Sequence, residues 1–170
     1  MILDQLEFRQ INTKAQIEKS ASKMFVMAAS SILFWLVLRS ESSVYQFHWL
    51  VAVLAVVLIR YIVNELLLKP ANLLTDQQQF IVFNLSLIVS CGVWSTAGFV
   101  FFVPGDDTTN GMMVVLMITV VGSGAYSYIN NFISLSSYML SLFVFPIFVL
   151  ISDGSTPSNV YASAMSIMLI

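Results

Sequence analysis

Beyond Met24 the chain is a series of apolar runs, each near the length of a membrane crossing, and only Arg60 and Glu65 put a charge inside any of them. The runs cover residues 24–38, 49–68, 80–103, 112–129 and 132–151, and a sixth, at 160–170, has about eleven residues before Ile170. A bilayer core asks for roughly 20 apolar residues per helical span, and half a span leaves backbone groups unsatisfied in hydrocarbon. The expected fold class is therefore all-α: a polytopic transmembrane helical bundle of six spans, with the sixth cut short at Ile170. Composition agrees, since 58% of residues are apolar and 9% charged, against about half and a quarter in soluble domains.

The connections between runs are short and made of turn formers: SESSVYQ, KPANLLTDQQQ, PGDDTTN, NN and SDGSTPSN. Such loops join antiparallel neighbours in one bundle and leave no room for a separate extracytoplasmic domain. Orientation follows from the cations. Arg9, Lys14, Lys19, Lys23 and Lys69 fall on one side, and Arg39 alone on the other, beside Glu41, Asp106, Asp107 and Asp153. This predicts a multi-pass protein with its N-terminus in the cytoplasm. Residues 1–23 are no secretory signal, because their polar content precedes any apolar run. They read as a cytoplasmic amphipathic leader, with Leu3, Leu6, Phe8, Ile11, Ala15, Ile17 and Met24 forming a loose stripe, or as a solvated helix whose cations set topology.

Several classes of function are disfavoured. A net charge of −2 with no basic cluster argues against a nucleic-acid partner. Cys91 is the only cysteine and lies in an apolar run, so neither an intrachain disulfide nor a Cys-rich zinc site is expected. His48 is the only histidine and sits beside Trp49 at the expected outer interface. No glycine-rich phosphate loop, paired carboxylates or metal-spaced ligands are visible. Neither a cofactor nor a metal is expected, and the chain as given reads as no enzyme.

The polar content of the spans carries what signal there is. A mid-span arginine costs at least about 2.5–3.5 kcal/mol on insertion scales, so Arg60 should face the bundle interior with a partner. Glu65 is far around the helix from Arg60 and spaced to pair with Lys69, whereas Asn64 shares the Arg60 face. Counting inward from the cytoplasmic end of each span, Arg60 is level with Ser90, with the stretch from Thr119 to Ser123, and with Ser141. Trp94 lies well inside its span, so its N–H requires a buried acceptor. Arg60, Ser90, Trp94, Thr119 and Ser123 are thus the candidate ligand-binding residues, each with the alternative of an ordinary interhelical contact. Gly122, Gly124 and Ala125 are expected to give a flat face for helix packing, and Pro146 to kink its span and free a carbonyl near Leu142.

Arg60, the stretch GVWSTAGFVFFVP at 92–104, GSGA at 122–125 and FVFPIF at 143–148 together suggest a family. The chain from about Met24 onward resembles the six-span N-terminal membrane sensory modules of bacterial hybrid sensor histidine kinases and diguanylate cyclases. This is the general type found in α-hydroxyketone quorum-sensing kinases. The resemblance implies a bacterial inner-membrane location, a cytoplasmic kinase or cyclase output domain in the same polypeptide, and a homodimer. It supplies no ligand-contact motif to carry over. The expected function is a membrane input module that binds a small amphiphilic signal and controls that output domain. The alternative is a fragment of a secondary transporter, which matching Gly/Pro breaks in two halves would favour; only Pro146 interrupts a span.

Overall fold

Buried residues of the second helix recur at spacings of three and four: Gln46, Trp49, Val53, Val57, Arg60, Asn64 and Leu67. That spacing keeps one narrow seam facing neighbouring helices along the whole element. The same logic organises the rest of the chain. The computed structural model describes the backbone of residues 2–38, 44–69, 73–125, 128 and 132–167, and the side chains of these except residues 2–13, 16, 19, 21–23, 123 and 124. Its elements are α1 (Ile2–Leu38), α2 (Val44–Leu68), α3 (Asp76–Ser95), α4 (Ala97–Val100), α5 (Asp107–Ala125), α6 (Phe132–Asp153) and α7 (Thr156–Ile167). Among the described residues all regular structure is helical.

Three helical stretches are long and apolar enough to cross a membrane: Val44–Leu68, Asp76–Val100 and Phe132–Asp153. Met24–Leu38 and Asp107–Gly122 are apolar but shorter. The distribution of polarity is inverted relative to a water-soluble bundle. Leu58, Ile59, Leu85, Val89, Val115 and Phe148 are exposed, while Ser20, Ser31, Arg60, Asn64, Ser90 and Ser134 are buried. Lipid tails are as apolar as leucine, so such a bundle is held by close packing and internal hydrogen bonds rather than by expulsion of apolar surface from water.

Helix boundaries follow local capping chemistry and extend beyond the apolar runs. Thr75 Oγ1 accepts from Gln78 N while Gln78 Oε1 accepts from Thr75 N, a capping box that starts α3 at Asp76 rather than at residue 80. At the other end of that span, Ser95 and Thr96 hydroxyls donate to the Gly92 and Val93 carbonyls, and the chain turns at Thr96 into the short α4. Asp106 caps α5 by accepting from Thr109 N and Oγ1. These bonds stabilise the carboxylate and hold Asp106 below the usual range. Asn110, fully inside, clasps the loop with both ends of its amide: Val103 N donates to Oδ1 and Nδ2 donates to Val103 O. Gly105 (φ 79°) and Gly154 (φ 68°) take the left-handed conformation at two turns. Ser155 accepts from Ser158 N and thereby starts α7 at Thr156, four residues before the apolar run.

α1 runs without a break across the expected boundary between leader and first span. Its buried residues Ile17, Ser20, Met24, Ser31, Phe34 and Leu38 form one inward stripe spanning that boundary. Leu3, Leu6, Phe8 and Ile11 lie outside the described side chains. α1 packs on α2, α3 and α5; α3 packs on α2 and α6; and α6 packs on α7.

The close approach of α4 to α6 is set by Gly98. A Cβ on Gly98 would lie 2.8 Å from Pro146 Cα and 3.1 Å from Pro146 N. The hydrogen at Gly98 is therefore what lets α4 rest against the backbone of α6 at its proline. Pro146 is buried, and α6 continues through it to Asp153. Gly122, expected to be a packing surface, is exposed and has nothing within 4 Å of an added Cβ. It lies on the outward side of α5, which corrects that expectation. Gly98→Ala is expected to destabilise by roughly 1–3 kcal/mol, because backbone atoms cannot swing aside. Gly122→Ala should be neutral or stabilising by up to about 1 kcal/mol. Thermal melts of the purified variants check both.

Candidate functional site

Arg60 sits on the inward seam of α2 with 3% of its surface exposed. Its guanidinium reaches three other segments. Nη1 donates to Ser90 Oγ of α3 at 3.0 Å, and Nη2 donates to Ser20 Oγ of α1 at 2.9 Å and to Tyr128 Oη at 2.7 Å. Tyr128 follows α5 in the connection to α6, where its N–H donates to Ala125 O. Asn64, one turn further along α2, donates from Nδ2 to the same Ser20 oxygen at 3.4 Å. The Ser20 and Tyr128 hydroxyls lie 3.3 Å apart, and the Ser90 hydroxyl hydrogen goes to Leu87 O.

Among the described residues every acceptor of this cation is a neutral hydroxyl. Among the described residues no carboxylate meets Arg60, and Nε together with Asn64 Oδ1 has no partner. A buried ion costs several kcal/mol in lost hydration, and hydrogen bonds to charged groups return about 1.5–3 kcal/mol each. Three such bonds are of the same order as that cost. They use three of the five guanidinium N–H donors, and among the described residues the Nε edge and the positive charge itself are uncompensated. Tyr128 is positioned by ring packing on Phe83 (centroids 6.3 Å) and Tyr138 (5.1 Å), and the Tyr138 hydroxyl is anchored on Val120 O of α5.

A second layer lies toward the α1–α2 end of the bundle. Phe34, Trp49, Trp94 and Phe101 pack edge-on or tilted, with centroids 5.0–6.1 Å apart. The acceptor required by Trp94 is Ser31 Oγ at 2.9 Å, whose own hydrogen goes to Met27 O. Trp49, expected near the interface with His48, is instead buried in this cluster, and among the described residues its Nε1 has no partner. His48 is exposed and bonds Val44 O through Nδ1.

The five candidate residues separate. Arg60 and Ser90 are in direct contact. Trp94 belongs to the aromatic layer one turn beyond Ser90, and touches α1 through Ser31. Thr119 does not join the site: it is exposed and donates to Val115 O of its own helix. The reason is helical phase, since Met113, Met117 and Val121 form the buried stripe of α5 and residue 119 falls between them on the outer face. The shared-depth count also misplaced α5, because Tyr128, beyond that helix's end, meets Arg60 of α2 and Phe83 of α3. Ser141 is not an acceptor of Arg60 either. Ser123 lies on α5, outside the described side chains.

Sequence reasoning missed Ser20 and Tyr128. Ser20 had been assigned to the leader, yet it continues the three-and-four spacing of Met24, Ser31 and Phe34. That periodicity was the available signal. Tyr128 had none comparable, because its position depends on where α5 ends. Among the described residues no group of His, Cys, Asp and Glu is arranged to hold a metal ion.

No protein-family model matches the chain, and no curated protein or solved structure matches it.

Proposed function

We propose that the chain is a membrane-embedded sensory input module of a signal-transduction protein. It binds a small amphiphilic signal at the Arg60 centre and controls a cytoplasmic output domain in the same polypeptide. In this reading the protein is a six-span, inner-membrane homodimer with a cytoplasmic N-terminus, and its output domain is a histidine kinase or diguanylate cyclase. The observation that carries the reading is the buried guanidinium, held by single hydroxyls from α1, α3 and the α5–α6 connection. A group that competes for one of those bonds changes what ties three segments together, so binding and conformation are coupled through one side chain.

α1 is the natural transmitter. From Ser20 it runs eighteen residues back to Ile2 as one helix, about 27 Å at 1.5 Å per residue. Ser20 is bonded to Arg60 and lies 3.3 Å from the Tyr128 hydroxyl, so a group that displaces either partner acts on a long helix reaching beyond the centre. The transporter reading has in its favour the buried cation and the interruption of the Asp76–Val100 span at Thr96; α6 runs through Pro146 as one helix, so among the described residues no matching break in a second half accompanies it.

Two measurements test these assignments. Cysteine labelling in a Cys91→Ser background should reach Ser42→Cys, Thr108→Cys and Ser155→Cys from outside intact cells. Asn72→Cys and Asn130→Cys should react only after permeabilisation; labelling of Asn72→Cys in intact cells contradicts the orientation. For function, output of the full-length protein is followed against a titration of amphiphile fractions from culture medium. Arg60→Lys keeps the charge but loses the planar fork and should shift the response by more than roughly tenfold while insertion is retained. Arg60→Leu should abolish it. Wild-type responses from both would make Arg60 purely structural, and uptake of a labelled amphiphile against its gradient would favour a transporter.

A further inference from the structure

We infer that the group recognised at Arg60 is an oxyanion carried on an apolar chain, with the carboxylate of a free acyl chain as the leading source. The inference rests on reading Arg60 as the signal-binding centre and adds the chemistry of the head group. Among the described residues, two observations point to it. The centre holds a positive charge at 3% exposure with no carboxylate beside it. The Nε–H is buried and unpartnered.

A neutral head group accepts a hydrogen bond from Nε but leaves the charge uncompensated. A carboxylate does both, because its two oxygens match the Nε and Nη2 edge of a guanidinium as parallel charge-assisted bonds. Nη2 already donates to Ser20 and Tyr128, so the second oxygen takes the place of one of these hydroxyls. Tyr128 is the one that yields, since Ser20 is also held by Asn64 Nδ2. The α5–α6 connection then loses its tie to α2 through Tyr128. The apolar tail follows from location: Arg60 lies well inside an apolar helix whose outward residues include Leu58 and Ile59.

The test uses the full chain in phosphatidylcholine nanodiscs, which contain no net anionic lipid. Sodium dodecanoate and dodecanol are titrated separately, and a third sample carries phosphatidylglycerol; melting temperature and calorimetric binding are read. Dodecanoate should raise the melting temperature and dodecanol should not. Stabilisation by phosphatidylglycerol as well extends the oxyanion to a lipid phosphate, and stabilisation by dodecanoate alone assigns it to a free carboxylate. Arg60→Lys should bind dodecanoate roughly tenfold more weakly. Tyr128→Phe keeps the guanidinium and removes its competitor, so it should bind more tightly, by about threefold or more. That gain separates a ligand site from a structural arginine. Equal stabilisation by dodecanol, or weaker binding by Tyr128→Phe, overturns the oxyanion assignment. The sensory reading would then still stand or fall on the Arg60 output titration.

Discussion

A guanidinium buried among neutral hydroxyls is the interaction on which the centre of this bundle depends. Its position on α2 is fixed by the inward seam that also carries Val53, Val57 and Asn64. Because arginine carries donors on three nitrogens, one side chain ties α2 to α1, α3 and the α5–α6 connection. Removing any one hydroxyl leaves part of a buried cation without an acceptor, and that is more costly than the bond itself. The centre is therefore cohesive as a set and poorly tolerant of partial loss. It is also polarised toward change, since neutral dipoles hold the charge less strongly than a carboxylate would.

Around it the bundle is assembled by geometry suited to lipid. Buried serines and asparagines make the cross-helix bonds, as between Ser134 Oγ and Asn84 Oδ1 at 2.9 Å, and the α4–α6 contact is made where Gly98 has no side chain. The aromatic layer of Phe34, Trp49, Trp94 and Phe101 fills the end where α1 turns into α2. The loops beyond are closed by their own polar groups, the Asn110 clasp and the Asp106 cap. Polar chemistry is thus spent where lipid offers no partner for a backbone group, and the outward faces are left to leucine, isoleucine, valine and phenylalanine.

The helical class and the apolar core of each element were legible from the apolar runs, because run length and turn composition are local properties. Helix ends were less so: the capping box at Thr75 and the caps at Asp106 and Ser155 lie in polar stretches that hydropathy assigns to loops. Arg60 and Ser90 were legible as neighbours through depth alone. Thr119 was misplaced because depth was used without helical phase, and the buried stripe of Met113, Met117 and Val121 shows the phase that excludes it. Ser20 was obscured by a boundary drawn where hydropathy changes, although α1 does not change there. Tyr128 could not be read from the sequence, since its contact depends on where α5 ends and on how deep this one residue sits among the other helices.

The central claim is that Arg60 is energetically coupled to hydroxyls on other segments rather than merely near them. A double-mutant cycle of Arg60→Met and Tyr128→Phe, read by reversible unfolding in mixed micelles, measures that coupling directly. A charge-assisted bond predicts a coupling energy of at least about 1.5 kcal/mol, well above the average of about 0.6 kcal/mol for neutral bonds between membrane helices. Additive effects of the two substitutions, with a coupling near zero, would contradict the account.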